Sequence, residues 1–284
     1  MRTFIKIWVG IALLAIGFGI GIVAIAMATG YTQRDKGADN TFSSFTGSYE
    51  DVTSIDIDIK YGKVEVIEGD SFSIDAKNYT GHEFDSYVNS GTWYIRQRSK
   101  GIFRIFNVDL SFGNFSRWND GFTPRITITI PKGFVAETFN MDIGAGEAKA
   151  DTINSLKGEL SVGAGSFTVD RLSIRDRSSF EVGAGQMVLE DVILKDASVD
   201  CGIGEVIIEG IMTGDNNINC GVGNIELRLT GEEDDYSYDI ESGIGNISIG
   251  NSSYRTSSRK INNSTADNYL RLECGIGNIS VDFD

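Results

Sequence analysis

A Gly-x-Gly step recurs through the second half of the chain. Its first glycines are Gly144, Gly163, Gly183, Gly202, Gly221, Gly243 and Gly275, and its second glycines are Gly146, Gly165, Gly185, Gly204, Gly223, Gly245 and Gly277. The intervals between copies are 19, 20, 19, 19, 22 and 32 residues. A period near 20 marks stacked supersecondary units, each too small to bury its own apolar face, rather than a domain folded around a single centre.

Aligning the copies on the first glycine gives the character of each unit. Three residues before it stand Met141, Leu160, Phe180, Val199, Ile218, Ile240 and Leu272, and directly before it Ile143, Val162, Val182, Cys201, Cys220, Ser242 and Cys274. Between the glycines stand Ala145, Ala164, Ala184, Ile203, Val222, Ile244 and Ile276. Beyond the second glycine two further columns run Ala148, Phe167, Met187, Val206, Ile225, Ile247, Ile279 and Ala150, Val169, Leu189, Ile208, Leu227, Ile249, Val281. Of these 35 positions 34 are apolar, in a chain whose hydrophobic content is 41%, so the columns are patterned rather than sampled from composition.

The columns between them are polar, notably Asp142, Ser161, Glu181, Asp200, Asn219, Glu241 and Glu273. Alternation of period two on either side of the step reads as strand, and its change of phase across the second glycine puts that glycine in a bulge or corner. The expected fold is all-β: a parallel β-solenoid of about 19–20-residue Gly-x-Gly rungs, with the apolar columns inward and stacked at roughly 4.8 Å. Right-handed winding is the default for parallel crossovers. Residues 45–135 read as an irregular N-terminal β part of the same object, with Ile55-Asp56-Ile57-Asp58-Ile59 alternating strictly and Tyr61-Gly62-Lys63-Val64 as a degenerate repeat. Residues 136–284 are the regular rungs.

Residues 7–28 carry no charge, and Arg2 and Lys6 precede them. About 20 apolar residues span a bilayer core of roughly 30 Å, whereas the apolar region of a secretory signal is about 7–15 residues long. Residues 7–29 are therefore expected to form one transmembrane helix behind a short cytoplasmic tail, residues 1–6, with 30–44 as a linker and the rest extracytoplasmic. Ala26-Met27-Ala28 is the competing sign of a cleaved leader. The net charge of −15 becomes −18 once the first 34 residues and their three basic side chains are set aside, which excludes nucleic acid as a partner. A single histidine, His82, excludes chemistry that needs a histidine pair.

A basic start before one apolar segment, an Ile-Thr-Ile-Pro-Lys step ending at Lys132, and serial Gly-Ile-Gly-Asn-Ile rungs together resemble a bacterial candidate-adhesin family of unknown function, related to head-GIN β-solenoids. The resemblance covers about residues 45–284. It implies a scaffold and supplies no catalytic motif. The aromatic stretch at 99–122 and the long last interval depart from it and are expected to be loops.

No residue set reads as catalytic, metal-ligating or cofactor-binding. Gly-x-Gly lacks the third glycine and the following helix of a dinucleotide site. The outward column Asp142, Glu181, Asp200, Glu241, Glu273 is expected to be a solvated face; weak cation binding and paired-carboxylate catalysis are the alternatives. Asn224, Asn246 and Asn278 occupy equivalent outward positions suited to an amide ladder. Cys201, Cys220 and Cys274 share an inward column. A Cys201–Cys220 bridge falls within the Cα range of disulfides, but parallel Cβ vectors suit it poorly, so free thiols are expected.

Candidate contact residues are Phe112, Phe115 and Trp118, in an aromatic segment suited either to capping the first rung or to stacking on a ligand, and Arg255, Arg259 and Lys260, a basic cluster in a polar loop. The expected role is a non-enzymatic, membrane-anchored interaction or scaffold module of the bacterial envelope, touching cell-wall polymer or an envelope protein. An accessory of envelope-stress signalling docked to a membrane sensor and a carbohydrate-active β-helix enzyme are the rival readings.

Overall fold

The computed structural model describes residues 42–80, 84–98, 103–105, 108–110, 123–250, 252–255, 259–261, 263 and 266–284. Its strands are β1 (Phe42–Tyr49), β2 (Ser54–Gly69), β3 (Phe72–Thr80), β4 (Phe84–Asn89), β5 (Thr92–Gln97), β6 (Phe103–Ile105), β7 (Val108–Leu110), β8 (Arg125–Pro131), β9 (Ala136–Lys195), β10 (Ala197–Thr213), β11 (Asp215–Leu229), β12 (Tyr236–Ile249), β13 (Ser252–Arg255), β14 (Arg259–Ile261) and β15 (Asn268–Phe283). All but the β6–β7 pair join one open sheet in the order β1-β3-β8-β2-β9-β10-β11-β15-β12-β13, with β4–β5 and β14 off this path. No helix among the described residues is long and apolar enough to cross a membrane, and the expected anchor at 7–29 lies outside them.

The rungs pair in parallel and in register, glycine over glycine. Gly62 of β2 faces Gly146, Gly185 faces Gly204, Gly204 faces Gly223, and Gly223 faces Gly277. This register stacks the apolar columns into the core. The column three residues before the step is buried from end to end, from Ile57 and Met141 through Phe180 and Val199 to Leu272 and Ile240. Each such side chain contributes about 1.5–3 kcal/mol on leaving water. The degenerate repeat at Tyr61-Gly62-Lys63 is thus a rung in its own right.

Chain order is not stacking order at the far end. β15 inserts between β11 and β12, so the step at Gly275 lies between those at Gly221 and Gly243. The 32-residue interval is not the plain loop expected from sequence. Within it β13 and β14 pair antiparallel to β12 and cover the outer edge of the last rung before the chain doubles back. The insertion gives β15 two parallel ladders instead of one, which satisfies the backbone groups on both its edges.

The first rung is closed differently. β5 covers Ser54–Asp58 of β2 and β8 covers Lys63–Gly69, with β3 and then β1 added antiparallel beyond β8. Trp93 is fully buried there; its Nε1–H donates to Ser86 Oγ at 2.9 Å, and its ring lies 4.8 Å from that of Tyr49. A covered end is what a repeat stack needs to avoid presenting an unpaired edge. This cap is built from β3–β5 and β8, while most of the aromatic stretch expected to supply it, 99–122, lies outside the described residues.

The second glycines adopt positive φ, for example +151° at Gly204 and +146° at Gly223, and a Cβ on Gly204 would overlap the carbonyl oxygen of Gly185 on the rung below. Gly133 also has positive φ, at +75°, but a Cβ there would meet no atom within 4 Å. Gly133→Ala is therefore expected to cost about 1 kcal/mol for the left-handed backbone alone, and Gly204→Ala at least about twice that, since overlap adds to strain. Urea unfolding of the two variants measures the difference; equal midpoints would refute the close-stacking account.

Candidate functional site

The corner of each rung turns the polar columns and the middle residue of Gly-x-Gly to the surface. That middle residue is a correction to the sequence reading. It is not an inward column: Ile203 is 46% exposed, Ile276 37% and Ile244 63%. The change of phase is the cause, since the chain bends between the buried residue before the first glycine and the next buried position, four residues after that glycine. In stacking order this column reads Tyr61, Ala145, Ala164, Ala184, Ile203, Val222, Ile276, Ile244, half-buried at Tyr61, Ala145, Ala164 and Val222 and exposed at the others. In the same order the buried column directly before the corner changes from Ile143, Val162 and Val182 to Cys201, Cys220 and Cys274. Apolar volume thus moves from inside the corner to outside it over the last four rungs.

A column rich in acids runs along one side of this stripe. Asp58 faces Asp142, Glu181 faces Asp200, Asp200 faces Asn219, Asn219 faces Glu273, and Glu273 faces Glu241. Neighbours offset part of the repulsion: the Asn219 Nδ2–H donates to Asp200 Oδ1 at 2.8 Å, and Lys60 Nζ lies 2.7 Å from Asp58 Oδ1. Beyond them, Arg96 holds Asp56 in a two-point contact at 2.8 and 2.5 Å. Burial first, then the Asp58 charge, raises the pKa of Asp142 above its ordinary range, and burial with the Asp200 charge does the same for Glu181. Among the described residues no group of three or more His, Cys, Asp or Glu is arranged to hold a metal ion.

On the other side of the stripe lie Glu205, Asn224, Asn278 and Asn246. The amide ladder forms once: Asn278 Nδ2–H donates to Asn224 Oδ1 at 3.2 Å, while Asn246 Oδ1 accepts from Ser253 Oγ at 2.8 Å on β13. Cys201, Cys220 and Cys274 are buried free thiols on three consecutive rungs, an adjacency that the inserted β15 creates. Hydrogen bonds of the Cys220 thiol to Cys201 and Cys274, together with burial, push its pKa up and keep it protonated. A pocket lined by Ile130, Phe134, Phe139 and Ile153 holds about 10 Å³, room for about one water molecule.

Phe112, Phe115 and Trp118 lie outside the described residues. Arg255 sits on β13 opposite Asn246, and Arg259 and Lys260 on β14 opposite Ile240 and Asp239, so the backbone brings all three to the outer edge of the last rung. The exposed Ile203, Ile276 and Ile244 and the half-buried Val222 are surface residues that simple alternation directs inward. Their signal in the sequence is an apolar residue isolated between two glycines at a phase change.

A family model described as Toastrack DUF4097 matches residues 52–272. The chain belongs to this family. No curated protein matches it. Among solved structures it is similar to a candidate cell adhesion protein from Clostridium sporogenes, at 14% identity over 86% of this chain and 100% of that one, with a TM-score of 0.37. It is also similar to a candidate adhesin from Bacteroides fragilis, at 11% identity over 87% and 98%, with a TM-score of 0.41. A candidate lipid-binding protein from Parabacteroides distasonis matches at 14% identity over 85% and 97%, with a TM-score of 0.40.

Two outcomes follow from this environment. A carboxyl whose pKa is raised on folding loses stability when it ionises, so the cost is present at neutral pH and fades as pH falls toward the ordinary value, 3.8 for Asp142. Asp142→Asn and Glu181→Gln are expected to melt higher than wild type at pH 7, with the gap closing below about pH 4; a gap that persists in acid would contradict the burial account. Thiol labelling is expected to count three cysteines in denaturant and none in the native chain, and fewer than three in denaturant would reveal a bridge.

Proposed function

We propose that this chain is a non-enzymatic interaction or scaffold module of the bacterial envelope, anchored by residues 7–29 with its right-handed solenoid outside the membrane. The observation that carries the reading is the surface itself. Among the described residues the fold spends its regularity on long columns along stacked rungs, acidic, amide and aliphatic side by side, and not on a concave site where groups converge on a small substrate. The uncharged run at residues 7–28 supports the anchor, and a net charge of −18 beyond residue 34 suits a soluble domain held off anionic headgroups. Cell-wall polymer or an envelope protein is the partner this reading implies, with Phe112, Phe115, Trp118, Arg255, Arg259 and Lys260 as contact candidates.

The test uses the full chain in bacterial cells. It is expected to stay with the membrane after alkaline extraction, to be digested by external protease, and to be retained on isolated cell wall. Retention should drop in Trp118→Ala or in the Arg255→Glu, Arg259→Glu, Lys260→Glu variant. Release by alkali would overturn the anchor. Capture of one membrane protein with no wall retention would replace the adhesive role with docking to a sensor.

A further inference from the structure

The four large side chains Ile203, Val222, Ile276 and Ile244 stand on consecutive rungs, about 14 Å from first to last at the rung spacing. Folding does not require them to be large. Ala145, Ala164 and Ala184 occupy the same column on the preceding rungs, between glycines placed in the same way. The glycines on both sides leave the aliphatic groups without neighbouring side chains within their own rung, so they stand as an isolated apolar ridge. Asp200, Asn219, Glu273 and Glu241 run along one side and Glu205, Asn224, Asn278 and Asn246 along the other, with Arg255 of β13 paired to Asn246 at the outer end.

Self-pairing does not account for the ridge. A strip of roughly 20 by 10 Å offers about 200 Å², a quarter of the about 800 Å² per partner that a stable dimer buries. It would also bring two strongly acidic chains together well within a Debye length. The same charge argues against an anionic membrane surface. A complementary occupant has aliphatic side chains at a repeat near 5 Å and positive charge beside them. An amphipathic helix meets both needs, because its i, i+4 neighbours are about 5–6 Å apart.

We infer that the Ile203–Val222–Ile276–Ile244 ridge is a docking surface for a basic amphipathic helix of a partner protein, its aliphatic stripe on the ridge and its Lys or Arg residues on the acidic column. This rests on reading the domain as an interaction module and names the chemistry of one partner.

The probe is a synthetic Leu/Lys amphipathic helix of about five turns, with a Leu/Glu helix of the same pattern as its control. Binding is measured by fluorescence anisotropy on the full chain held in neutral phosphatidylcholine nanodiscs, with empty nanodiscs subtracted. The Leu/Lys helix is expected to bind, more weakly as salt rises, and the Leu/Glu helix not to bind. The variant Ile203→Ala, Ile244→Ala, Ile276→Ala should weaken binding by about tenfold or more, some 1.4 kcal/mol. Ala184→Ile, which lengthens the ridge by one rung, should tighten it, an outcome that misfolding cannot imitate.

Equal binding of the two helices, a signal no greater than on empty nanodiscs, or an unchanged affinity in both variants would overturn the proposal. Self-association of wild type that the triple variant abolishes would overturn it in favour of a dimer contact. Failure here with wall retention intact removes this partner alone, whereas loss of all retention and capture in the cell assay removes the module reading beneath it.

Discussion

The close passage of backbone over backbone at the second glycine of each rung is the contact on which the rest of the molecule depends. At Gly204 the chain takes a left-handed conformation with its missing Cβ directed at the carbonyl of Gly185, and the same approach repeats at Gly223 and Gly277. Any other residue would push the rungs apart there. With the corner fixed at one register, the columns on either side have no freedom to slip, because a shift of one residue would turn each buried column to solvent. Register, core and surface pattern therefore follow from one steric requirement repeated along the stack.

That repetition also determines what kind of surface the domain has. Columns of like residues at about 4.8 Å amplify whatever chemistry a position carries, so carboxylates crowd carboxylates and apolar groups line up with apolar groups. The chain offsets the first effect with Asn219 beside Asp200 and Lys60 beside Asp58, and tolerates residual cost at Asp142 and Glu181, whose pKa values burial and neighbouring carboxylates raise. The second effect is left in place on the last four rungs. There the inner column shrinks to Cys201, Cys220, Cys274 and Ser242 while the outer one grows to Ile203, Val222, Ile276 and Ile244. Such a surface presents its chemistry in lines along the stack rather than gathered at a point.

Much of the architecture is legible in the spacing of residues along the chain, and the reason is physical. A period near 20 with alternation inside each unit leaves few ways to bury the apolar residues, and the phase change at Gly146 and its equivalents already requires a corner. The direction of the middle residue is less legible. Simple alternation from the buried Cys201 sends Ile203 inward, and only the bend at the corner turns it out. The amide ladder is half legible, since Asn224 and Asn278 are neighbours but Asn246 takes Ser253, on a strand that the loop-like composition of residues 251–268 conceals.

By itself the sequence determined which residues share a column, where each rung turns and that the fold is all-β, because those properties depend on spacing along the chain and on the size of single side chains. Only the tertiary structure decided the order of the last rungs. β11, β12 and β15 carry interchangeable columns, so spacing cannot rank them; β13 and β14 take one edge of β12, which leaves its other edge and that of β11 to β15. Placing β15 between the other two brings Cys274 against Cys220, Asn278 against Asn224 and Ile276 against Val222. The thiol row, the amide contact and the exposed ridge are consequences of that insertion, properties of neighbours in space that the chain keeps more than 50 residues apart in sequence.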